Sequence, residues 1–135
     1  MNVVVVDQDH ATRTRLKRRL QKIRGLTVIG EASESEEATA MVVNRKPDVV
    51  ILDAELKNGS GVEVLHQIKQ LVVHPIVIMV TNHPSQELRS ACTGAGADFV
   101  FDKTLEDREV VKTVRLLCDP ERKHQESDPL KSLPD

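Results

Sequence analysis

The chain has 135 residues, a formal net charge of −2, two cysteines and no tryptophan or tyrosine. This length suits one domain, and so small a charge gives no field that would favour nucleic acid or an anionic membrane as a partner. Two cysteines cannot build a disulfide framework, and no apolar stretch approaches the roughly 20 residues of a membrane helix, so we expect a cytoplasmic domain with free thiols.

Short runs of β-branched and other apolar residues recur along the chain, and four of them lead directly into a polar residue. Runs of this length, bounded by polar or turn residues, are typical of buried strands in a parallel sheet. In an open sheet of this kind, ligands bind beyond the carboxyl ends of the strands. The runs, each with the polar residue that follows it, are 3–6 with Asp7, 49–52 with Asp53, 76–80 with Thr81 and 99–102 with Lys103.

Helical patterns separate these runs. Leu16, Leu20 and Ile23 are spaced i, i+4 and i+7, which predicts a first helix that ends before Gly25. The apolar residues within 26–32 then predict a second strand.

Two Ser-x-x-Glu sequences predict further helix starts. They are Ser33 with Glu36 and Ser60 with Glu63, and both match the capping box. A fourth helix is predicted to start at residues 84–85, where a proline precedes a serine.

Five strand–helix alternations predict an α/β fold with a doubly wound, five-stranded parallel sheet and five helices. The strand order should be 2-1-3-4-5, as in flavodoxin-like folds. Two helices should cover one face of the sheet and three the other. We expect one domain over residues 1–118, since the last helical pattern ends at Cys118. Residues 119–135 hold three prolines and mostly polar side chains, which predicts a flexible tail.

Two carboxylates, a hydroxyl and an ammonium at one end of a sheet can hold a divalent cation and a phosphoryl group. A carboxylate accepts a phosphoryl group when a cation screens both it and the incoming phosphate. We expect Asp53, on the central strand, to be the nucleophile and Asp7, on the neighbouring strand, to help hold the metal. Lys103 should neutralise phosphoryl oxygens, and the Thr81 hydroxyl should donate a hydrogen bond to the attached group.

Together, five stretches resemble the receiver domain of bacterial two-component response regulators. The resemblance implies a single-domain regulator, similar to chemotaxis receivers, that accepts a phosphoryl group on Asp53 from a histidine kinase or histidine phosphotransfer protein. It implies signalling through contact with a downstream protein, and no enzymatic activity beyond the chain's own phosphorylation and dephosphorylation. The stretches are residues 3–10, 47–56, 61–65, 80–82 and 95–98, followed by Lys103.

The resemblance also implies a Mg²⁺ ion, held by an acid pair, by the acceptor Asp53 and by a backbone carbonyl that belongs to Glu55. The family usually has two adjacent acids after its first strand, whereas this chain has Asp7 followed by Gln8. An amide oxygen can still coordinate, but the site has one negative charge fewer, so Mg²⁺ should bind weakly. Asp9 comes one residue too late, because a shift of one residue along extended backbone turns the side chain away.

Two other positions depart from the family pattern. Val100 stands three residues before Lys103, where an aromatic switch residue is usual, so we expect no coupling of the hydroxyl to a ring. Thr104 stands where the family commonly has a proline joined to the lysine by a cis peptide bond. A cis bond before a residue other than proline costs roughly 2.5–4 kcal/mol, so the sequence leaves the isomer of the Lys103–Thr104 bond open.

Two other functions fit parts of the pattern. A pseudo-receiver would keep the fold as a binding module without phosphorylation, and the missing second acid favours it. Residues 7–9 also resemble the Asp-x-Asp signature of haloacid-dehalogenase-type phosphatases, with Asp7 as the nucleophile. Against the phosphatase, Lys103 follows Asp98 and Asp102, the acids that it should precede.

Overall fold

The valine- and isoleucine-rich runs form the strands of the computed structural model, which describes residues 1–103 and 107–119. In chain order the strands are β1 (Asn2–Val6), β2 (Thr27–Ala32), β3 (Val49–Asp53), β4 (Glu55–Leu56), β5 (Gly59–Ser60), β6 (Ile76–Thr81) and β7 (Phe99–Asp102). β4 and β5 form a short antiparallel hairpin, and the other five strands pair in parallel in the order β2-β1-β3-β6-β7. Counted within this sheet, the order is 2-1-3-4-5, which confirms the predicted doubly wound, flavodoxin-like fold.

The helices of the described chain cover both faces of the sheet. They are α1 (His10–Leu20), α2 (Ser35–Arg45), α3 (Gly61–Lys69), α4 (Gln86–Gly94) and α5 (Asp107–Cys118). Because successive side chains of a strand point to opposite faces, Val3 and Val5 pack in one core with α1 and α5. Val4 and Val6 pack in the other core with α2, α3 and α4. The prediction of two helices on one face and three on the other is therefore confirmed.

The predicted boundary between domain and tail lies just after α5, which ends at Cys118. From residue 120 onward the predicted flexible tail lies outside the described residues, as does the Lys103–Thr104 bond. Cys92 and Cys118 are buried free thiols, as expected. In the part of the chain that the structure describes, every helix is too short or too polar to cross a membrane.

One of the two predicted capping boxes is wrong. Ser60 caps α3 as expected, and its hydroxyl accepts a hydrogen bond from the Glu63 N–H at 3.2 Å. The N-cap of α2, however, is Glu34, one residue later than the predicted Ser33. Glu34 stays extended because it forms an isolated bridge with Lys57, so the helix starts only at the following residue.

Gly61 lies against the backbone that carries the proposed nucleophile. A Cβ atom at this position would lie 2.0 Å from the carbonyl oxygen of Asp53 and 2.8 Å from the Cα atom of Ala54. The Gly61 N–H also donates to the Ala54 carbonyl at 2.9 Å, so neither backbone segment can move away without breaking this bond. We expect Gly61→Ala to lower the free energy of unfolding, measured in urea, by about 2 kcal/mol.

Gly94 offers a matched control for this substitution. A Cβ atom there would meet nothing within 4 Å, and Gly94 is the last residue of α4. Gly94→Ala should leave stability unchanged or raise it slightly, because alanine favours helix. Equal losses of stability in the two variants would contradict a specific contact at Gly61.

Candidate phosphoryl-acceptor site

The carboxyl ends of three neighbouring strands bring the predicted site residues together. β3 lies between β1 and β6, so Asp53 at the end of β3 lies between Asp7, which follows β1, and Thr81, which ends β6. Asp53 is fully buried, and Asp7 and Thr81 are 4% and 1% exposed. Lys103 follows β7, and its N–H donates to the Thr81 carbonyl at 2.8 Å. The four residues predicted from strand ends therefore form one cluster.

The Lys103 ammonium joins the two aspartates. Its Nζ lies 2.7 Å from Oδ2 of Asp7 and 3.0 Å from Oδ2 of Asp53, and the lysine side chain is only 12% exposed. Burial lowers the pKa of Lys103, but the hydrogen bonds and charges of the two carboxylates outweigh burial, so the net shift of its pKa is upward. Lys103 is therefore a fixed positive charge at this end of the sheet.

Asp53 is difficult to ionise in the metal-free protein. Burial raises the pKa of Asp53, and the negative charge of Asp7 and a side-chain interaction with Glu55 raise it further. Together they outweigh the Lys103 ion pair, so the pKa of Asp53 is raised to about 7. Its Oδ1 atom accepts a hydrogen bond from the Glu55 N–H at 3.0 Å. A second positive charge at the site would favour the ionised carboxylate, the form that can attack phosphorus.

The Thr81 hydroxyl already has two hydrogen-bond partners. It donates to Oε1 of Glu55 at 2.8 Å and accepts from the His83 N–H at 3.0 Å. Burial raises the pKa of Glu55, but hydrogen bonds with Asp53 and Thr81 more than offset it, so the pKa of Glu55 is lowered overall. The Glu55 side chain is thus part of the site.

From the sequence, Glu55 is expected to contribute only its backbone carbonyl, and the role of its side chain is not predicted. A signal was present, since Glu55 is two residues after Asp53 and residues at that spacing in extended backbone share a face. Arg13 is likewise not among the predicted site residues, but its Nη1 donates to the Asp7 carbonyl at 2.6 Å and its side chain is only 12% exposed. Arg13 lies on the first turns of α1, and Nε pairs with Glu31 on β2 at 3.0 Å, so it fixes the backbone beside the site.

The expected metal ligands are only partly brought together. Gln8 is exposed, and within residues 1–103 and 107–119 no three His, Cys, Asp or Glu side chains form a group that could hold a metal ion. Asp7 and Asp53 instead meet at the Lys103 ammonium, which shows that this position attracts positive charge. Two neighbouring carboxylates are donors that suit Mg²⁺, which takes a few protein oxygens and retains water.

Two acids just after β1 and just before β7 have other roles. As expected, the Asp9 side chain does not join the cluster: it caps α1 by accepting from the Thr12 N–H at 3.1 Å. Asp98 precedes β7, at the opposite end of the sheet from the site. It accepts from the Val77 N–H at 2.8 Å and pairs with Lys69 at 2.9 Å. Asp98 therefore cannot act as the distal acid that a haloacid-dehalogenase-type phosphatase needs.

Comparison with known proteins decides the family. The model of the response regulator receiver domain matches residues 3–115. The chain belongs to this family. The predicted family resemblance is thus confirmed, and the haloacid-dehalogenase alternative has no support.

The receiver resembles longer regulators along about half of their length. It is 30% identical over 122 residues to the response regulator UvrY of Escherichia coli, covering 90% of the receiver and 56% of UvrY. It is 33% identical over 119 residues to the response regulator GacA of Pseudomonas syringae, covering 87% of the receiver and 55% of GacA.

Solved structures show the same fold. A CheY-like receiver domain protein from Methanospirillum hungatei is 26% identical, with a TM-score of 0.80 and coverage of 93% of this chain and 98% of that one. The CheX–CheY–BeF₃–Mg²⁺ complex from Borrelia burgdorferi contains a chain that is 27% identical, with a TM-score of 0.76 and coverage of 84% and 86%. That complex contains BeF₃ and Mg²⁺.

Proposed function

We propose that this receiver accepts a phosphoryl group on Asp53 from the phosphohistidine of a histidine kinase or histidine phosphotransfer protein. The Lys103 ammonium carries the proposal, because it lies 3.0 Å from the buried Asp53 carboxylate and 2.7 Å from that of Asp7. A lysine so placed neutralises negative charge at the acceptor. A surface ion pair that served only to stabilise the fold would not need two buried acids around one lysine.

In the proposed transfer, a carboxylate oxygen of Asp53 attacks phosphorus and a new P–O bond forms. The P–N bond of the donor breaks, and its electron pair stays on the donor imidazole. Lys103 neutralises oxygens of the transferred group, and Thr81 donates its hydroxyl hydrogen bond to the attached phosphoryl group.

Four residues would hold a magnesium ion in this receiver. They are Asp7 and Asp53 through their carboxylates, Gln8 through its amide oxygen and Glu55 through its backbone carbonyl. The ion, when bound, screens the acceptor from the phosphoryl oxygens. Because Gln8 replaces a second acid, we propose that binding is weak.

We further propose that the receiver acts in the cytoplasm and signals through contact with a downstream protein. The Borrelia burgdorferi neighbour supports such contact, since its CheY was solved in complex with a second protein, CheX. Under this proposal the receiver acts on no substrate besides its own aspartyl phosphate, and neither nucleic acid nor a membrane is a partner.

The deciding experiment is covalent labelling with acetyl phosphate and Mg²⁺, followed by peptide mapping. We expect one phosphoryl group, on Asp53, and no label on an Asp53→Asn variant. Asp9→Asn is the matched control, because asparagine keeps the helix cap beside the site. It should label as the wild-type protein does. Label on Asp7, or undiminished label on Asp53→Asn, would contradict the assignment.

A pseudo-receiver that binds partners without phosphorylation is the second candidate. The substitution of Gln8 for an acid favours it, since the expected cation then has one charged ligand fewer. The same labelling experiment separates the two functions: no label with acetyl phosphate, and none with a panel of phosphorylated histidine kinases, would establish the pseudo-receiver.

A further inference from the structure

The hydroxyl that the proposed phosphoryl group needs is already bound to an anion of the protein itself. Thr81 donates its one hydroxyl proton to Oε1 of Glu55 at 2.8 Å. A threonine hydroxyl has a single proton to donate. A phosphoryl group on Asp53 can therefore receive that hydrogen bond only after Glu55 has given it up.

The Glu55 carboxylate is poorly satisfied in this position. Its Oε2 atom is buried and has no hydrogen-bond partner. A buried carboxylate oxygen without a donor is costly, because the oxygen has lost its water and gained nothing in exchange. The cost of this unpaired oxygen offsets part of the stabilisation that the Thr81 hydrogen bond provides, so another anion can displace the side chain.

The same carboxylate lies beside the acceptor. The Glu55 N–H donates to the Asp53 Oδ1 atom at 3.0 Å, and the side chains of the two residues shift each other's pKa, that of Asp53 upward and that of Glu55 downward. Glu55 therefore contacts both the residue that would carry the phosphoryl group and the hydroxyl that would bind it. An incoming phosphoryl group would meet the negative charge of Glu55 at this place.

We propose that the Glu55 carboxylate is a built-in competitor of the phosphoryl group for the Thr81 hydroxyl. In the unmodified receiver it takes the hydrogen bond that the phosphoryl group takes later, and it holds the hydroxyl in a fixed direction. Phosphorylation then exchanges one anion for another at Thr81 and releases the Glu55 side chain. This inference rests on the proposed function, since it assumes that Asp53 is the acceptor.

Beryllofluoride binding at saturating Mg²⁺, measured by calorimetry and by fluorine NMR, tests the competition. The Mg²⁺ affinity of each variant is titrated first, so that all proteins are compared when loaded. Glu55→Ala should bind beryllofluoride about tenfold more tightly than wild type, because a hydrogen bond to a charged acceptor no longer has to be broken. Glu55→Gln keeps an acceptor for the hydroxyl without the charge, so its gain should be smaller.

A double-mutant cycle with Thr81→Val isolates the contribution of the hydroxyl. Competition predicts that Glu55→Ala gains much less affinity in the Thr81→Val background than in the wild-type background. Glu63→Ala removes an exposed acid at the start of α3 and should leave the affinity unchanged, which controls for net charge.

Two results would overturn the competition and leave the proposed function standing. In the first, Glu55→Ala raises the affinity for beryllofluoride equally with and without the Thr81 hydroxyl. In the second, Glu55→Ala binds beryllofluoride more weakly than wild type. If Glu55→Ala does not fold, Glu55→Gln in the same cycle decides, because it preserves the shape of the side chain. Absence of binding in every variant, wild type included, would instead refute the proposed function together with the competition.

Discussion

Replacing Lys103 with methionine should lower the free energy of unfolding of the metal-free protein by about 3 kcal/mol near pH 8. Methionine keeps the apolar stem of the side chain but removes the charge. The carboxylates of Asp7 and Asp53, whose side chains are 5% and 0% exposed, would then face each other without a counter-charge. Uncompensated charge in the protein interior is among the largest effects that a single substitution produces. Urea denaturation followed by circular dichroism measures the loss.

Lys112→Met is the control for this substitution. Lys112 lies exposed on α5, so the same change there should alter stability by less than about 0.5 kcal/mol. The loss at Lys103 should also shrink towards acid pH, because Asp53 takes up a proton when its counter-charge is absent. Equal losses at the two lysines, or a loss at Lys103 that grows as the pH falls, would show that the ammonium does not hold the acids together.

The metal-free wild-type protein should lose stability as the pH rises from about 4 to 7, by more than about 1 kcal/mol, and then level off. The cause is the pKa of Asp53, which burial and the charge of Asp7 raise from 3.8 to about 7. Between these values the folded protein holds a proton that the unfolded chain has released. A rising pH therefore favours the unfolded chain until Asp53 is ionised in both states.

Asp53→Asn isolates this contribution from the histidines that titrate in the same range. The variant has no carboxyl group at the buried position, so the pH-dependent loss due to Asp53 should disappear. It should be more stable than wild type near pH 8, and the difference should shrink near pH 5. The lowered pKa of Glu55 changes stability only below about pH 5, near its ordinary value of 4.5, so the comparison between pH 5 and pH 8 reports on Asp53. Parallel stability curves for the two proteins would contradict the raised pKa of Asp53.

Much of the fold follows from local patterns that the sequence displays directly. Runs such as residues 3–6 are short, apolar and β-branched, which favours buried strands over helices, and each is followed by a helical pattern. Parallel strands joined by right-handed crossovers leave few possible orders. The site residues Asp7, Asp53, Thr81 and Lys103 could be grouped for the same reason, since the carboxyl ends of parallel strands meet at one end of the sheet.

Helix starts were less predictable because they depend on contacts distant in sequence. Ser33 and Glu36 match a capping box, but the bridge between Glu34 and Lys57 keeps the chain extended for one more residue. The residues around Ser33 in the sequence do not indicate where Lys57 will lie in the fold. The cap at Ser60 was predicted correctly because its hydrogen bond stays within the helix that it starts.

The sequence by itself determined which polar residues meet at the end of the sheet, because strand periodicity and chain order fix that much. Only the tertiary structure decided which of them contact one another. Lys103 joins Asp7 to Asp53 across strands that are far apart in the chain, and Glu55 turns its carboxylate to the Thr81 hydroxyl. Side-chain direction and the balance between burial and charge depend on all neighbours at once, and those neighbours come together only when the chain folds.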